Sequence, residues 1–453
     1  MRTGSLSGIR VLVVGAGLAG LAAARDLMLQ GADTIVFDAR NRCGGRVFTV
    51  RQPFAAGQHG EAGGDMIDEA QQEIRQLAQE LGLSLTRILR DGWGYVHPTR
   101  RRGARLSTTS GPGGWEQLAK ALAPSIRAYR LAEQRWDSPI SLGLARRSVA
   151  EWLEDVDADG RLRAVALGLR GFFLADPHEL SLLAYVDQFA SEDQGAWKQY
   201  RVAGGNDRLA EALALSLGDR VKLASEVVAV SHRGREIRAS VRTGGAVIQL
   251  RGDYLIFAVP TTLLRRIAIS PALPGPQREA LVSLRYGRAT RTLVQFPRRF
   301  WRARGRPRAF GSSLPFGALW EANEEQRGPC GIVSLLAGGS ASDATQAIVK
   351  QGGIRSLVAS LGWLGVGRLE PLASHQTVWE ADPWARGGYA FFAPSFEPTR
   401  RSWLARPCGR LFFAGEHTSL RWQGYMNGAV ESGRRAAAEV ETAHRLTSRT
   451  SHH

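Results

Sequence analysis

The residues of this chain with the clearest chemical meaning are three glycines near its start. Gly15, Gly17 and Gly20 form a G-x-G-x-x-G run, which follows an apolar predicted strand at 11–14 and opens a predicted helix that continues through 22–29. Gly15 permits a tight turn, Gly17 lets a pyrophosphate approach the backbone, and Gly20 lets the helix pack on the strand. Because the amino terminus of a helix attracts anions, the run predicts a phosphate-binding turn.

An acidic residue completes this pattern. A second predicted strand at 34–37 ends in Asp38, where a carboxylate can accept hydrogen bonds from an adenosine ribose. A glycine turn alone also arises for packing. Strand, helix and acid together predict a bound dinucleotide.

Two further glycine pairs favour FAD over NAD. Gly44 and Gly45 precede Arg46, a fixed cation that can reach a phosphate. Gly63 and Gly64 again allow close backbone approach. Three glycine-lined contacts suit a long ligand that lies extended across the fold. Since no second G-x-G-x-x-G follows a strand, no NADPH site is predicted, and the substrate is expected to reduce the flavin directly.

The stretch 422–440 reads oddly for a terminal helix, because it opens with aromatic residues around Gly424. It follows a predicted buried strand that ends in Gly415 and Glu416. A flavin would explain this opening, since the positive end of the helix dipole stabilises the anion that forms on the ring during reduction. Gly424 would then allow close approach, and Tyr425 would stand beside the ring face.

The elements between these motifs follow two different patterns. Residues 115–200 carry apolar residues at helical spacing, whereas 290–370 alternates like strands that could floor a substrate pocket. Strands near 221–230 and 252–260 return the chain to the nucleotide-binding sheet, so that domain is predicted to be discontinuous. The predicted boundaries are 1–90, 201–285 and 376–445 for the FAD-binding domain, 91–200 and 286–375 for the substrate domain, and 446–453 for a tail.

Composition excludes several other classes of protein. The chain has 453 residues and a net charge of +17, but the positive charge is arginine spread along the chain, so no nucleic-acid partner is predicted. Cys43, Cys330 and Cys408 have neither disulfide-framework nor metal-ligand spacing, which favours a reducing cytoplasm and no metal. The longest apolar run, 11–24, is too short to span a bilayer, so no signal peptide or membrane anchor is expected.

Together these motifs resemble the flavin-containing amine oxidase family, the group of monoamine oxidases, polyamine oxidases and L-amino-acid oxidases. The similarity extends from about residue 8 to about residue 442 and is carried by VVGAGLAG, GGRV, FFAGEHTS and WQGYMNGAVESGRRAA. It implies an α/β protein with a Rossmann-type FAD-binding domain and an α+β substrate-binding domain. It also implies hydride transfer from an amine to flavin N5, an imine that hydrolyses to an aldehyde and ammonia or a smaller amine, and reoxidation by oxygen, giving hydrogen peroxide, or by another acceptor.

The resemblance and the glycine motifs indicate a set of cofactor-binding candidates. Val227 matches the family residue whose backbone meets the adenine, and Gly388 stands where relatives with covalent flavin have cysteine, so non-covalent FAD is expected. The full set is Gly15, Gly17, Leu18, Ala19, Gly20, Asp38, Ala39, Arg40, Gly45, Arg46, Gly63, Gly64, Asp65, Val227, Trp379, Trp384, Gly415, Glu416, Gly424, Tyr425, Met426 and Ala429.

Three residues are implied to be catalytic. Tyr389 and Tyr425 match two tyrosines that flank the flavin as an aromatic cage for the amine, although either one alone is read equally well as a packed core residue. Arg291 stands where the family has a lysine that holds a water near flavin N5. Arginine keeps the charge but not the compact ammonium, which leaves an acceptor other than oxygen open.

The substrate class is less sharply indicated. Asp65 and Asp68 follow the second glycine pair, where many amino-acid oxidases have a carboxylate-binding arginine. These acids would repel a carboxylate and could accept a second cation, which favours small-molecule amines, diamines included. An L-amino-acid oxidase with an arginine from elsewhere, a flavin-dependent desaturase and FAD binding without turnover stay open as alternatives. The sequence also leaves the oligomeric state open, a homodimer included.

Overall fold

The computed structural model describes residues 4–90, 92–98, 104–107, 115–191, 198–234, 236–303, 306–365, 367 and 370–450. The strands in these ranges are β1 (Arg10–Val14), β2 (Asp33–Phe37), β3 (Thr49–Val50), β4 (Gly60–Glu61), β5 (Ile67–Asp68), β6 (Leu85–Ile88), β7 (Trp93–Pro98), β8 (Ala104–Ser107), β9 (Gln199–Val202), β10 (Val221–Lys222), β11 (Ser225–Arg233), β12 (Glu236–Thr243), β13 (Ala246–Gly252), β14 (Tyr254–Phe257), β15 (Ala268–Ser270), β16 (Arg285–Tyr286), β17 (Ala289–Phe296), β18 (Ala309–Ser312), β19 (Ala318–Glu321), β20 (Gly331–Gly338), β21 (Ala373–Val378), β22 (Ala390–Phe391) and β23 (Leu411–Phe413).

The helices in the same ranges are α1 (Leu18–Leu29), α2 (Gln72–Glu80), α3 (Trp115–Leu131), α4 (Pro139–Ala145), α5 (Val149–Asp155), α6 (Gly160–Gly168), α7 (Arg170–Phe173), α8 (Leu182–Ser191), α9 (Asp207–Leu217), α10 (Thr261–Leu264), α11 (Gly275–Ser283), α12 (Ser340–Ala359) and α13 (Met426–Thr450). Short 3₁₀ turns cover Gly218–Arg220, Gly362–Leu364, Pro398–Leu404 and Glu416–Thr418. None of the described helices combines the length and the apolar content that crossing a bilayer requires.

A five-stranded parallel sheet holds the first glycine motif. Its order is β10–β2–β1–β14–β23, so strands from the two ends of the chain lie in one sheet with strands from its middle. One face of this sheet packs on α1, α9 and α13, and the other packs on β11 and β12 together with α10 and α11. Burial on both faces explains why residues 11–14 of β1 and all of β14 are apolar. The domain boundaries stay predictions, because strand pairing does not fix where a domain ends.

A seven-stranded sheet forms the second layer around the site. Its order is β21–β17–β20–β19–β18–β7–β8, with antiparallel pairing except between β18 and β7. All residues of its central strands β17 and β20 are buried. A separate apolar core joins α3, α5, α6 and α8 to Tyr95 of β7. This sheet and the helices supply the walls that the parallel sheet does not.

The last helix begins later than its sequence indicates. The stretch from 422 was expected to open the helix, but α13 begins at Met426, and the preceding residues form a turn. Gly424 has a φ of +82°, which is incompatible with a right-handed helix, and its N–H donates to the Glu416 carboxylate at 3.0 Å. This side-chain acceptor therefore holds the residues before Met426 out of the helix.

Helices α1 and α13 approach so closely that Gly433 has no room for a side chain. A Cβ at Gly433 would lie 2.2 Å from the carbonyl oxygen of Ala19, a backbone atom that cannot move aside cheaply. We expect Gly433→Ala to lower the free energy of unfolding by roughly 1–3 kcal/mol, measured by denaturant titration, even though alanine is the better helix former. Gly143→Ala is the matched control, because Gly143 lies in α4 with open space around its Cβ. This control should be neutral or stabilising by up to about 1 kcal/mol, and equal effects at both sites would contradict the prediction.

Candidate active site

One cavity of about 1080 Å³ brings the sequence-predicted site residues together. Its walls include every candidate named from the sequence except Gly20. A Cβ at Gly20 would lie 1.9 Å from the carbonyl oxygen of Gly15, so Gly20 is needed for packing α1 against the turn. The individual binding roles of the other candidates stay predictions.

The start of α1 is suited to a phosphate. The helix begins after Gly17 without any side-chain cap, so its first N–H groups have no side-chain acceptor. A Cβ built on Gly17 meets no atom within 4 Å, which shows open space at this point of the cavity wall. Uncapped N–H groups beside open space are the donor set that a pyrophosphate requires. The residues present therefore fit a dinucleotide.

Asp38 fixes the turn that carries these N–H groups. Its carboxylate accepts the N–H of Ala16 at 2.8 Å and that of Arg40 at 2.9 Å. Burial raises the pKa of Asp38, and these two bonds oppose the rise. Since a carboxylate has about four acceptor sites, Asp38 keeps capacity for a ribose hydroxyl.

Two arginines of this region are held by partners distant in sequence. Both terminal nitrogens of Arg40 donate to the Asp382 carboxylate, at 2.9 and 2.7 Å. Arg46 Nη1 donates to Glu416 at 2.9 Å and to the carbonyl oxygen of Gly388 at 2.6 Å. The residue Asp382 was not singled out by the sequence, which offers no signal for a pair so far apart. These ion pairs connect the ends of the chain at the cavity.

The two cage tyrosines are held by neighbouring contacts. Tyr389 is partly buried and donates its hydroxyl to the carbonyl oxygen of Phe172. A Cβ at Gly424 would lie 3.2 Å from the Tyr389 ring, so the residue before Tyr425 packs directly on Tyr389. Tyr425 donates its hydroxyl to Gln188 at 3.4 Å and meets the edge of a neighbouring tryptophan. Both rings line the cavity within reach of the start of α13.

Arg291 lies in the same cavity and is nearly fully buried. It is 5% exposed, and its Nη1 donates to Ser334 Oγ at 2.8 Å. Its Nη2 donates to the carbonyl oxygen of Gly63 at 3.3 Å, and its guanidinium lies 4.4 Å from the centre of the Trp320 ring. Burial lowers the pKa of Arg291, and the Asp65 carboxylate opposes this shift. The structure thus places a fixed cation in the cavity wall.

Asp65 is already committed to other groups. Its two oxygens accept Arg201 Nε at 2.5 Å and Trp320 Nε1 at 2.8 Å. Arg201 is buried as well and donates to Glu325 at 3.1 Å. The expectation that Asp65 is available to a substrate cation is therefore not favoured by this geometry. Asp68, in contrast, accepts only the carboxamides of two glutamines in the described contacts.

The remaining wall of the cavity is aromatic. Trp93 meets Phe172 edge-on at 5.2 Å and lies 6.2 Å from Trp320, and all three line the cavity. Sequence reasoning did not find these residues, because they come from three separated segments without a motif. Their arrangement provides an apolar surface for an organic group.

Glu61 lies beside this site with a strongly shifted proton affinity. Burial and then the nearby Asp65 raise the pKa of Glu61 to about 8, from an unfolded value of 4.5. The native chain therefore binds more protons than the unfolded chain between these values, so the free energy of unfolding should fall as the pH rises from 4.5 to 8. We expect Glu61→Gln to remove this contribution, which amounts to at most about 1.4 kcal/mol per pH unit.

Denaturant titrations of both proteins across pH 4.5–8 measure this difference. Glu154→Gln, on an exposed position of α5, controls for the loss of one carboxyl group and should retain the pH dependence. An unchanged slope in Glu61→Gln would show that another group is responsible.

Comparison with known proteins agrees with this geometry. The family model of flavin containing amine oxidoreductases matches residues 18–441. A Mycobacterium tuberculosis protein that bears the name flavin-containing monoamine oxidase AofH is 31% identical over 454 residues, covering 95% of this chain and 96% of the relative. Amine oxidase B of Cavia porcellus is 26% identical over 96% of this chain and 86% of its own length.

Solved structures give the same result. A putrescine oxidase bound to putrescine superposes with a TM-score of 0.83 at 26% identity, covering 95% of this chain and 98% of that chain. Cyclohexylamine oxidase from Brevibacterium oxydans superposes with a TM-score of 0.84 at 25% identity, covering 96% and 99%. The fold class and the family predicted from the sequence are thereby confirmed. This chain belongs to the flavin-containing amine oxidoreductase family and is a flavin-dependent oxidoreductase that acts on amines.

Proposed function

We propose that this chain oxidises the C–N bond of a small-molecule amine with FAD held non-covalently in the cavity. One observation carries the proposal: a single cavity extends from the uncapped start of α1 to the two tyrosines beside α13. A phosphate-binding end and an aromatic end within one space suit a ligand as long as FAD. The relatives named as monoamine oxidases and the structures with amine substrates support the same reaction class.

Non-covalent attachment rests on the cysteines. Gly388 occupies the position where a covalent link would need a thiol, and none of Cys43, Cys330 and Cys408 lines the cavity. All three are free, which also supports a reducing compartment such as the cytoplasm. Bound FAD supplies the acceptor for the hydride that leaves the carbon next to the amine nitrogen.

The residues of the chain prepare the amine for this loss. The nitrogen lone pair must be free, and an alkylamine with a pKa near ~10.4 is mostly protonated at pH 7, so deprotonation costs roughly 4–5 kcal/mol. The apolar walls around Trp93 and Phe172 disfavour the ammonium ion and offset part of that cost. Tyr389 and Tyr425 orient the nitrogen by their ring faces. The resulting imine then hydrolyses to an aldehyde and ammonia or a smaller amine.

Two kinds of electron acceptor are proposed for reoxidation of the flavin. Molecular oxygen, with hydrogen peroxide as product, fits a family of oxidases. Arg291 presents delocalised charge instead of a lysine ammonium, and both its terminal nitrogens already donate to protein oxygens. Another acceptor is therefore a second outcome for the reoxidation step.

An L-amino-acid oxidase is the second candidate, favoured by the buried cation at Arg291. A carboxylate clamp needs two parallel N–H groups on one arginine. Ser334 and Gly63 accept one N–H from each terminal nitrogen of Arg291, and the Nε–H has no partner among the described residues. The choice between amines and amino acids therefore rests on the titration that follows.

Anaerobic titration separates these two functions. We expect phenylethylamine to bleach the flavin band of the purified holoprotein and L-phenylalanine, which adds only a carboxylate, to leave it unchanged. Admission of air after bleaching then reports whether oxygen restores the band. Tyr425→Ala should lower the second-order rate of bleaching about 10–100-fold, since orientation of the amine is lost. Bleaching by L-phenylalanine alone would overturn the proposal in favour of an amino-acid oxidase.

The phosphate end can be tested without turnover. We expect Gly17→Val to fold normally and to lose at least about 90% of its bound flavin, because the side chain would fill the open space at the start of α1. Gly160→Val is a matched control, since Gly160 also stands at a helix start with open space around its Cβ but does not line the cavity. Absorbance of the purified proteins and their melting temperatures give the result. A fully yellow Gly17→Val protein would contradict the assignment.

A further inference from the structure

Two buried arginines of the described residues line the cavity, Arg401 and Arg291. Arg291 stands at the amine end, the part of the wall to which Trp320, Phe172 and Tyr389 belong. Its strand β17 is buried at every residue, and Ser334, Gly63 and Trp320 hold its guanidinium in place. A buried guanidinium stays charged at all relevant pH values. The cavity therefore presents this charge to any ligand that enters.

The nearest acid to Arg291 divides its charge between two arginines. Asp65 Oδ2 lies 3.6 Å from Arg291 Nη1, whereas its other oxygen accepts Arg201 at 2.5 Å. Arg201 takes a second carboxylate, Glu325, which does not line the cavity. Burial and the nearby Asp65 raise the pKa of Glu61 to about 8, which reduces the negative charge that Glu61 contributes near pH 7. Asp65 and Glu325 both form ion pairs with Arg201, and Asp65 lies closer to Arg201 than to Arg291.

The charge of Arg291 reaches the aromatic cage. Burial raises the pKa of the Tyr389 hydroxyl, the positive charge of Arg291 opposes the rise, and Glu416 adds to it. Glu416 is itself paired with Arg46 at 2.9 Å. Arg291 therefore adds positive charge at the tyrosine beside which the amine nitrogen is proposed to lie.

Asp68 and Asp187 also line the cavity, and their charges act in the opposite direction. Asp68 is held by Gln71 and Gln199 at 2.9 and 3.0 Å. Asp187 accepts the hydroxyl of Tyr129 and lies 4.0 Å from a buried arginine. Any effect of Arg291 on substrate charge must outweigh the fields of these two carboxylates.

We infer that Arg291 determines substrate specificity by charge: it disfavours ammonium groups in the cavity and selects neutral amines that carry one nitrogen. Like charges in a low-dielectric site repel strongly. A protonated monoamine therefore gives its proton to bulk water before it binds, which leaves the lone pair free, and the second ammonium of a diamine is excluded. This inference rests on the proposed amine oxidation.

Binding of a non-oxidisable pair of ligands tests the inference independently of turnover. The amine 2-phenylpropan-2-amine has no hydrogen on the carbon next to nitrogen, and 2-phenylpropan-2-ol is its neutral isostere. Dissociation constants for both are measured on the holoprotein between pH 6 and 9.5, by calorimetry or by perturbation of the flavin spectrum. At pH 6 the alcohol should bind at least about tenfold more tightly than the ammonium ion, and the ratio should shrink as the pH rises.

Variants identify the residue responsible. Arg291→Gln should reduce the alcohol-to-ammonium ratio at pH 6 about tenfold, and Arg291→Lys should preserve it. Arg299→Gln is the control, since Arg299 is a buried, ion-paired arginine that does not line the cavity. It should leave the ratio unchanged. In the anaerobic bleaching reaction, Arg291→Gln should shift the acidic limb of the pH profile upward by about one unit, which a purely structural role would not do.

Several outcomes would overturn the inference. Equal binding of ammonium and alcohol at pH 6 by the unaltered protein refutes it without any variant, as does an unchanged ratio in a folded, flavin-replete Arg291→Gln protein. Tighter binding of 1,5-diaminopentane than of pentylamine would also overturn it, because the cavity would then accept a second ammonium. Failure of every amine to bleach the flavin would refute the proposed function, whereas the binding ratio would still report the effect of Arg291.

Discussion

The ion pair between Arg46 and Glu416 is the interaction on which the site depends most. Arg46 follows Gly45 directly, and the same guanidinium that donates to Glu416 also donates to the carbonyl oxygen of Gly388, next to a cage tyrosine. Glu416 in turn fixes the N–H of Gly424, before the other cage tyrosine. One pair therefore sets the relative positions of the phosphate end and both aromatic rings. Removing one partner of this partly buried pair leaves the other charge without a partner, which destabilises the site more than replacing both residues.

Much of the phosphate end could be predicted from the sequence, because its requirements are local. The turn at Gly15, the open space at Gly17 and the packing at Gly20 all arise within one strand–turn–helix unit, so spacing alone specifies them. The position of the Asp38 carboxylate is set by the length of β2, the strand that ends immediately before it. By contrast, the contact between Gly433 and Ala19 joins residues far apart in sequence, and no local pattern indicates it.

The amine end could not be predicted in the same detail, because its contacts depend on strand register between distant segments. Asp65 looked available to a substrate from its sequence, yet Arg201 and Trp320, from other elements, occupy both its oxygens. The start of the last helix was misplaced for a related reason, since the acceptor that holds Gly424 out of the helix is the side chain of Glu416. Long-range side-chain partners decide both points, and periodicity carries no information about them.

The two ends of the cavity therefore differ in what they require of the chain. The phosphate end relies on backbone N–H groups and on glycines, so many side-chain replacements elsewhere leave it intact. This agrees with a TM-score of 0.84 to a solved amine oxidase at only 25% identity. The amine end relies on individual side chains such as Arg291, Trp320 and Phe172, and one replacement there changes the charge or shape that a substrate meets. Side chains of the seven-stranded sheet and the helices beside it therefore decide the shape and charge that a substrate meets, while the parallel sheet carries the turn that is suited to phosphate.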